Sequence, residues 1–189
     1  MSTTIVTPPA SEPVTLAEVK SQRNIIDVYS DSELTRLISA TRQYVEGYTG
    51  RALITQTVDL FLDEFEQKIE IPRPKLQSIT TVKYTDTAGT QQTLDASEYT
   101  VVTNSTVGYV MPSYNNDWPD IRVVPEAVEI RFIAGYGDAS TDVPEDLRQA
   151  IFILLGMWHE NTEDAQPFTL NQIPIGTRAI LDAYRVFNL

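Results

Sequence analysis

The residues whose types allow catalysis are few, and their spacing predicts no enzymatic site. His159 is the only histidine and thus the only possible base for a serine–histidine pair. It follows Trp158 in a helical pattern, and the chain has no Gly-x-Ser-x-Gly turn. The chain also has no cysteine, which excludes thiol nucleophiles, disulfides and cysteine-bound metals. We therefore predict no catalytic residues.

Carboxylates leave one other chemistry open. A glycosidase uses two carboxylates, and Trp118 and Tyr109 have the ring type that stacks on sugars. A carbohydrate-binding module or a carboxylate-based hydrolase, using the central β segment, is therefore the alternative function. The acidic residues between positions 138 and 146 lack the spacing and internal glycine of a calcium loop. Residues 135–137 (GYG) lack the Gly-Lys-Ser/Thr of a phosphate loop, so we predict no metal and no cofactor.

The composition favours a folded, acidic protein that does not bind DNA strongly. The 189 residues include 14 Lys and Arg against 26 Asp and Glu, a formal charge of −12, and 42% are hydrophobic. Because cations supply most of the affinity for phosphates, strong nucleic-acid binding is disfavoured. The longest apolar run, residues 150–158, is far short of the roughly 18 residues that span a membrane. The first residues do not read as a signal peptide, so we expect a protein assembled in the cytoplasm, without membrane contact.

Helical signals occur at both ends of the chain. Residues 1–14 read as an extended, proline-containing arm, and Thr15-x-x-Glu18 is a capping box that opens a helix over residues 16–22. Ser30-x-x-Glu33 opens a longer helix that Gly50 closes. A third helix runs from Pro144 to about residue 161. Pro174 and Gly176 precede a last one, which carries Ile180, Leu181, Tyr184 and Phe187 along one side.

The middle of the chain has the two-residue period of strands. Seven short strands are predicted, over residues 54–63, 68–71, 79–85, 91–94, 99–103, 107–111 and 127–134. No helix separates them, which indicates an antiparallel meander or small sandwich. The fold class is therefore α+β, with an extended arm (1–14), a helical bundle built from both chain ends (15–50 and 143–189) and an inserted β domain (51–142).

Several segments together resemble one protein family. They are residues 15–20 (TLAEVK), 44–53 (YVEGYTGRAL), 56–57 (QT), 72–74 (PRP), 79–84 (ITTVKY), 131–137 (RFIAGYG), 143–151 (VPEDLRQAI) and 183–186 (AYRV). In order and spacing they are similar to the head–tail connector (adaptor) proteins of tailed bacteriophages and gene transfer agents, in a long form with a β insertion. The resemblance covers about residue 12 to the end of the chain.

The resemblance implies a non-enzymatic structural protein of the virion neck. Such proteins form a ring, commonly of about twelve copies, under the portal protein at the capsid vertex. The ring extends the DNA channel, lets DNA pass without specific binding, and presents a surface to neck stopper or tail proteins. A stopper or tail-completion protein is a further structural possibility.

Candidate contact residues follow from this family role. Two different patches are required for a head-to-tail ring. Tyr44, Tyr48 and Trp158 are candidates for the subunit interface, because aromatic residues are enriched at interfaces, although they could instead fill the monomer core. The resemblance implies that the C-terminal segment binds the portal, and packing of this segment on its own bundle is the alternative. The candidate portal-binding residues are Ile180, Tyr184, Arg185, Phe187 and Leu189. Twelve copies of an acidic chain would also repel DNA from the channel wall.

Overall fold

The helices and strands of the chain belong to two compact units. The computed structural model describes residues 1–23, 31–163 and 174–186. Residues 1–10 and 55–136 form one unit, here the β unit, and residues 11–54 and 137–189 form the other, here the helical unit. The described residues contain four helices and eight strands: β1 (Ser2–Thr7), α1 (Leu16–Arg23), α2 (Asp31–Thr49), β2 (Gln56–Leu62), β3 (Ile69–Glu70), β4 (Leu76–Thr85), β5 (Gln91–Thr93), β6 (Tyr99–Val102), β7 (Tyr109–Pro112), β8 (Val128–Ala134), α3 (Glu145–Glu163) and α4 (Ile175–Tyr184).

The β unit contains two antiparallel sheets, so the α+β class is confirmed. The larger sheet has the order β1-β2-β8-β4-β5, and the smaller has the order β3-β7-β6. The seven strands predicted from the two-residue period are present as β2 to β8, with ends shifted by a few residues. Their order is not sequential, because β8 pairs with both β2 and β4 at the centre of the larger sheet.

Alternation along β8 divides the larger sheet into an apolar and a charged face. Val128, Ile130, Phe132 and Ala134 are fully buried. Two of the three residues between them, Glu129 and Arg131, carry charge, and the Arg131 guanidinium donates two hydrogen bonds of 2.7 Å to the Asp59 carboxylate. On the next strand, Lys83 donates to Glu129 at 3.2 Å. Cross-strand charge pairs therefore follow the same register that builds the core.

The first part of the expected N-terminal arm is a strand. β1 pairs antiparallel with β2, from Ser2 opposite Phe61 to Thr7 opposite Thr57. All six of its residues are exposed, so the apolar alternation that reveals a half-buried strand is missing from its sequence. Backbone pairing holds it in place, and Pro8 and Pro9 follow where the pairing stops. Residues 2–7 of the predicted extended arm therefore form a paired edge strand.

The helical unit begins at the predicted capping box. The Thr15 N–H donates to the Glu18 carboxylate at 2.7 Å, and the Glu18 N–H donates to the Thr15 hydroxyl at 3.2 Å. α2 ends as predicted at Gly50, whose φ of 70° lies in the left-handed region that suits glycine. Ser30, the predicted cap of α2, lies outside the described residues.

Two arginines with little exposure connect the segment before α1 to the longer helices. Arg42 on α2 donates to Glu12 at 2.7 Å and to Glu46 at 2.9 Å. Arg148 on α3 donates to the Pro13 carbonyl at 3.0 Å, and also to the carboxylates of Glu145 and Glu18. Because carboxylates neutralise both guanidinium groups, their burial is tolerated.

α3 and α4 complete the bundle. α3 has a continuous apolar face in which Leu147, Ile151, Leu154 and Leu155 are buried. α4 is ten residues long and contains Gly176, which the sequence pattern had placed before the helix. Within the described residues, no helix combines the length and the apolar character needed to cross a membrane.

The boundaries of the β unit differ slightly from the predicted insertion (51–142). Residues 51–54 belong to the helical unit, where the Leu53 N–H donates to the Glu46 carboxylate at 3.0 Å and Ile54 forms a bridge to Gly137. Residues 137–142 also belong there, with the Asp142 carboxylate accepting from the Ala139 N–H at 2.9 Å.

Candidate interaction surface

Three aromatic side chains lie together where α2 faces α3. Tyr44 and Tyr48 are four residues apart on α2, so they share one side of the helix, and both are half-buried. Their rings stack with centroids 6.4 Å apart. The Trp158 ring on α3 meets Tyr44 edge-to-face, with centroids 5.5 Å apart. The three residues predicted for the subunit interface therefore form one cluster.

The chain after α4 extends this cluster. The guanidinium of Arg185 lies 5.2 Å from the centroid of the Tyr48 ring, a cation–π contact. The Tyr48 hydroxyl donates to the Asp182 carboxylate at 2.6 Å. We call the set Tyr44, Tyr48, Trp158, Asp182 and Arg185 the aromatic surface. This surface contains the three residues predicted for the subunit interface together with Arg185, which was predicted for the portal contact.

The backbone at the C-terminal end of α4 is held against the end of α2. The Val186 N–H donates to the Thr49 carbonyl at 2.9 Å, and the Arg51 side chain donates to the Tyr184 carbonyl. Gly50 lies beside Val186, and a Cβ at Gly50 would be 3.4 Å from the Val186 carbonyl oxygen. The predicted partner-binding segment is thus packed on its own bundle as far as Val186.

The pKa of one tyrosine in the aromatic surface is raised. Burial raises the pKa of Tyr44, and the neighbouring Tyr48 hydroxyl raises it further. Arg178 lies 3.7 Å from Asp182, one turn away on α4. The surface therefore presents a neutral phenol, an indole and a guanidinium together, the side-chain types that most often anchor protein–protein contacts.

The residues predicted to contact the portal differ in exposure. Ile180 and Tyr184 are half-buried and Arg185 is exposed. Phe187 and Leu189 lie outside the described residues. Leu181, next to Ile180, is fully buried and belongs to the bundle core. The assignment of these residues to a partner stays a prediction.

One apolar residue of α4 was missed by the sequence reading. Ile175, the first residue of the helix, is 90% exposed. Ile175 is not part of the apolar side of α4 that contains Ile180, Leu181 and Tyr184. Its position directly after Pro174, at the start of the helix, was the sequence feature that could have identified it. Ile175 is thus one of the exposed large apolar side chains of the described residues.

The aromatic residues considered for sugar binding contact their own chain. The Trp118 ring stacks on Phe65 at 4.6 Å with an angle of 7° between planes, and its N–H donates to the Glu66 carbonyl at 2.7 Å. The Lys68 ammonium lies 4.5 Å from the Tyr109 ring centroid. One face of each ring is therefore occupied, and Trp118 anchors a loop.

The carboxyl groups with shifted pKa values do not have the shift that a general acid needs. Although burial raises the pKa of Glu18, hydrogen bonds from Thr15 and Arg148 outweigh it and lower the pKa overall. Hydrogen bonds from Gln92 and Thr90 lower the pKa of Asp86, which is part of a turn. A general acid at neutral pH has a raised pKa, so these groups are structural.

Metal binding is likewise unsupported in the part of the chain that the structure describes. Across residues 1–23, 31–163 and 174–186, no group of three or more histidine and carboxylate side chains is placed to hold an ion. The aromatic and apolar groups at the surface of the helical unit are of the side-chain types that protein–protein contacts use.

Comparisons with known proteins identify the family of the chain. The model of the head completion protein family matches residues 12–187, so the chain belongs to that family. The family makes it a structural head–tail connector protein, and the predicted membership of the connector family is confirmed. No curated protein matches the chain.

Solved structures show the same fold. A chain in the neck of an empty GTA particle, computed with C6 symmetry, has a TM-score of 0.80 at 22% identity. A chain in the virion of a native gene transfer agent (GTA) particle has a TM-score of 0.79 at 23% identity. A chain in the neck of a native GTA particle, computed with C12 symmetry, has a TM-score of 0.73 at 25% identity. Each comparison covers 100% of this chain and 97% of the other.

Proposed function

We propose that the chain is a ring subunit in the neck of a tailed particle, with no catalytic role. About twelve copies bind below the portal protein, extend the DNA channel and present a surface to stopper or tail proteins. The observation that carries this proposal is the full-length likeness, at 25% identity, to a chain of a neck computed with C12 symmetry. The partly exposed aromatic surface supports it, because such surfaces favour subunit contacts.

The C-terminal segment is the proposed portal contact. Arg185 is exposed and Ile175 is 90% exposed, so α4 and the residues after it offer a cation and an apolar group to a partner. Phe187 and Leu189 add two apolar side chains at the end of the sequence. A contact built from apolar and cationic groups suits a partner with an acidic, partly apolar cleft.

Co-assembly with the portal tests this function. The protein is mixed with portal rings and examined by negative-stain imaging, and we expect an added ring on one face of the portal. A truncated protein that lacks only residues 187–189 is used, because a truncation from Ile180 would also remove the buried Leu181 and disturb the bundle. The truncated protein should keep its helical content but lose portal binding.

Two aspartate variants give a matched pair for the same assay. Ile175→Asp places a charge at the proposed contact, and Val123→Asp places one at a residue that is 98% exposed in the β unit. We expect Ile175→Asp to weaken portal binding and Val123→Asp to leave it intact. Normal binding by both Ile175→Asp and the truncated protein would refute the C-terminal contact, and absence of any added ring would refute the connector role.

A further inference from the structure

The outer edge of β1 is an open hydrogen-bonding edge. β1 is the first strand of the order β1-β2-β8-β4-β5, so β2 occupies one of its sides and, among the described residues, no strand pairs with the other. Alternate backbone N–H and C=O groups of an edge strand point away from the sheet and can pair with another strand. The family match begins at residue 12, after β1, so the family assignment does not account for this strand.

This edge lacks much of the usual protection against pairing. Exposed edge strands are commonly protected by lysine, proline or an inward charge. Residues 2–7 contain none of these, and the whole stretch from residue 1 to residue 11 has no ionisable side chain. An irregularity in register between Ile5 and Thr7 affects only the end of the strand, which leaves Ser2–Ile5 regular.

The side chains of β1 also remain uncovered. Ile5 and Val6 are exposed although both are β-branched and apolar, and Met1 is exposed beside them. The strand therefore buries little of its own surface in the monomer, and its apolar groups are available to a second sheet edge.

We propose that β1 pairs with a neighbouring copy of this chain in the ring, so that a β-sheet continues across the subunit boundary. This inference rests on the proposed ring. A closed ring gives every copy a neighbour on each side, so an edge used between copies is covered in all of them. Strand addition of this kind gains its affinity from main-chain hydrogen bonds.

Charge favours a second copy over an acidic or basic partner. Each copy has a formal charge of −12, so copies repel one another wherever charged surfaces meet. Because residues 1–11 have no ionisable side chain, contact at this edge brings no charged side chains of that stretch together. The same sheet offers a second uncharged edge strand, β5, whose three residues Gln91–Thr93 are exposed, and this supplies the non-identical patch that a head-to-tail contact requires.

Site-specific cross-linking tests the pairing, because the chain has no cysteine. Thr4→Cys is labelled with benzophenone maleimide, assembled on portal rings and irradiated. The matched control is Val123→Cys, in the same unit and 98% exposed. We expect Thr4→Cys to give adducts between two copies, mapped by mass spectrometry to an edge strand, and Val123→Cys to give none.

The outcomes separate this inference from the proposed function. Rings that form while the Thr4→Cys label reacts only with portal, another protein or solvent overturn β1 pairing and leave the ring intact. Failure of unlabelled wild-type protein to form any ring overturns both. Cross-linked copies within an imaged ring support both.

Hydrogen exchange gives a second test without a substitution. In the ring, the amides within residues 2–7 that do not pair with β2 should exchange at least about ten-fold more slowly than in the free protein, because the new pairing protects amides that face solvent in the monomer. Amides around Val123 should exchange at the same rate in both states. Unchanged exchange in residues 2–7 of an assembled ring would overturn the pairing.

Discussion

Glu46 is the residue whose removal should destabilise the helical unit most clearly through polar contacts. Its carboxylate is 5% exposed and accepts from two groups: the Arg42 guanidinium at 2.9 Å and the Leu53 N–H at 3.0 Å. Glu46→Ala removes both acceptors at once. Arg42, only 8% exposed, keeps its other carboxylate partner, Glu12, whereas the N–H of the fully buried Leu53 loses this acceptor.

The expected loss of stability follows from these two contacts. Breaking a buried ion pair costs about 3–5 kcal/mol, and because Glu12 still neutralises Arg42 we take a value below that range, about 2 kcal/mol. The unsatisfied buried N–H adds about 1 kcal/mol, the lower limit for such a group. The total of about 3 kcal/mol is a large fraction of the roughly 5–15 kcal/mol that stabilises a typical domain.

Urea unfolding followed by tryptophan fluorescence measures this loss. Trp158 lies in the helical unit, so a Trp118→Phe background makes the signal report that unit alone. With a denaturant slope of about 2 kcal/mol per molar, the midpoint should fall by about 1.5 M urea. Glu46→Gln, which can keep an acceptor for the Leu53 N–H, should fall between Glu46→Ala and the parent.

An exposed ion pair provides the control for this prediction. Lys68 and Glu70 are 2.7 Å apart, and both side chains are at least half exposed, so Glu70→Ala should cost less than about 0.5 kcal/mol. Its effect is read in a Trp158→Phe background, where Trp118 reports the β unit. A midpoint for Glu46→Ala within about 0.3 M urea of its parent would refute the assignment of Glu46 as a buried acceptor.

Three further substitutions test other parts of the fold. Glu18→Gln should destabilise the helical unit at neutral pH and have a smaller effect as the pH is lowered. Because the pKa of Glu18 is lowered in the folded protein, its contribution is complete above about 4.3, its ordinary pKa, and is lost as the pH falls through the lower pKa of the folded state; urea midpoints measured across this range would show the loss. Phe132→Ala should cost about 3–5 kcal/mol in the β unit, read from Trp118 fluorescence, because the ring is fully buried at the centre of the larger sheet; a loss below about 1 kcal/mol would contradict that position. Gly137→Ala should lower the melting temperature in calorimetry, since its Cβ would collide with the Asp142 carboxylate, and Gly47→Ala, where a Cβ meets nothing within 4 Å, should not.

Local signals in the sequence predicted the elements well. The Thr15 and Glu18 spacing gave both hydrogen bonds of the capping box, and the left-handed end of α2 was readable from Gly50. Such features depend on residues a few positions apart, so their physics is contained in a short window. The same holds for β2 to β8, whose alternation is a local pattern.

Long-range pairing could not be read in the same way. β8 lies between β2 and β4 because its buried residues complete the core, yet nothing in the period of any strand encodes that order. β1 was missed since its side chains bury nothing, which removes the hydrophobic signal. The hydrogen bond between Tyr48 and Asp182 joins residues 134 positions apart. The sequence therefore gave no sign that the residues predicted for the subunit interface and Arg185, predicted for the portal contact, lie on the same surface.

The use of cations inside the fold bears directly on the proposed DNA channel. The chain has only 14 Lys and Arg, and several of them form ion pairs within the monomer: Arg42 with Glu12 and Glu46, Arg148 with Glu18 and Glu145, Arg131 with Asp59, and Lys83 with Glu129. Cations engaged in this way are poorly placed to neutralise phosphates, while the excess of carboxylates remains. A ring of such subunits would repel DNA at its wall and let it slide. In the proposed ring, the ion pairs that stabilise each subunit would therefore also reduce the number of cations available to retain DNA.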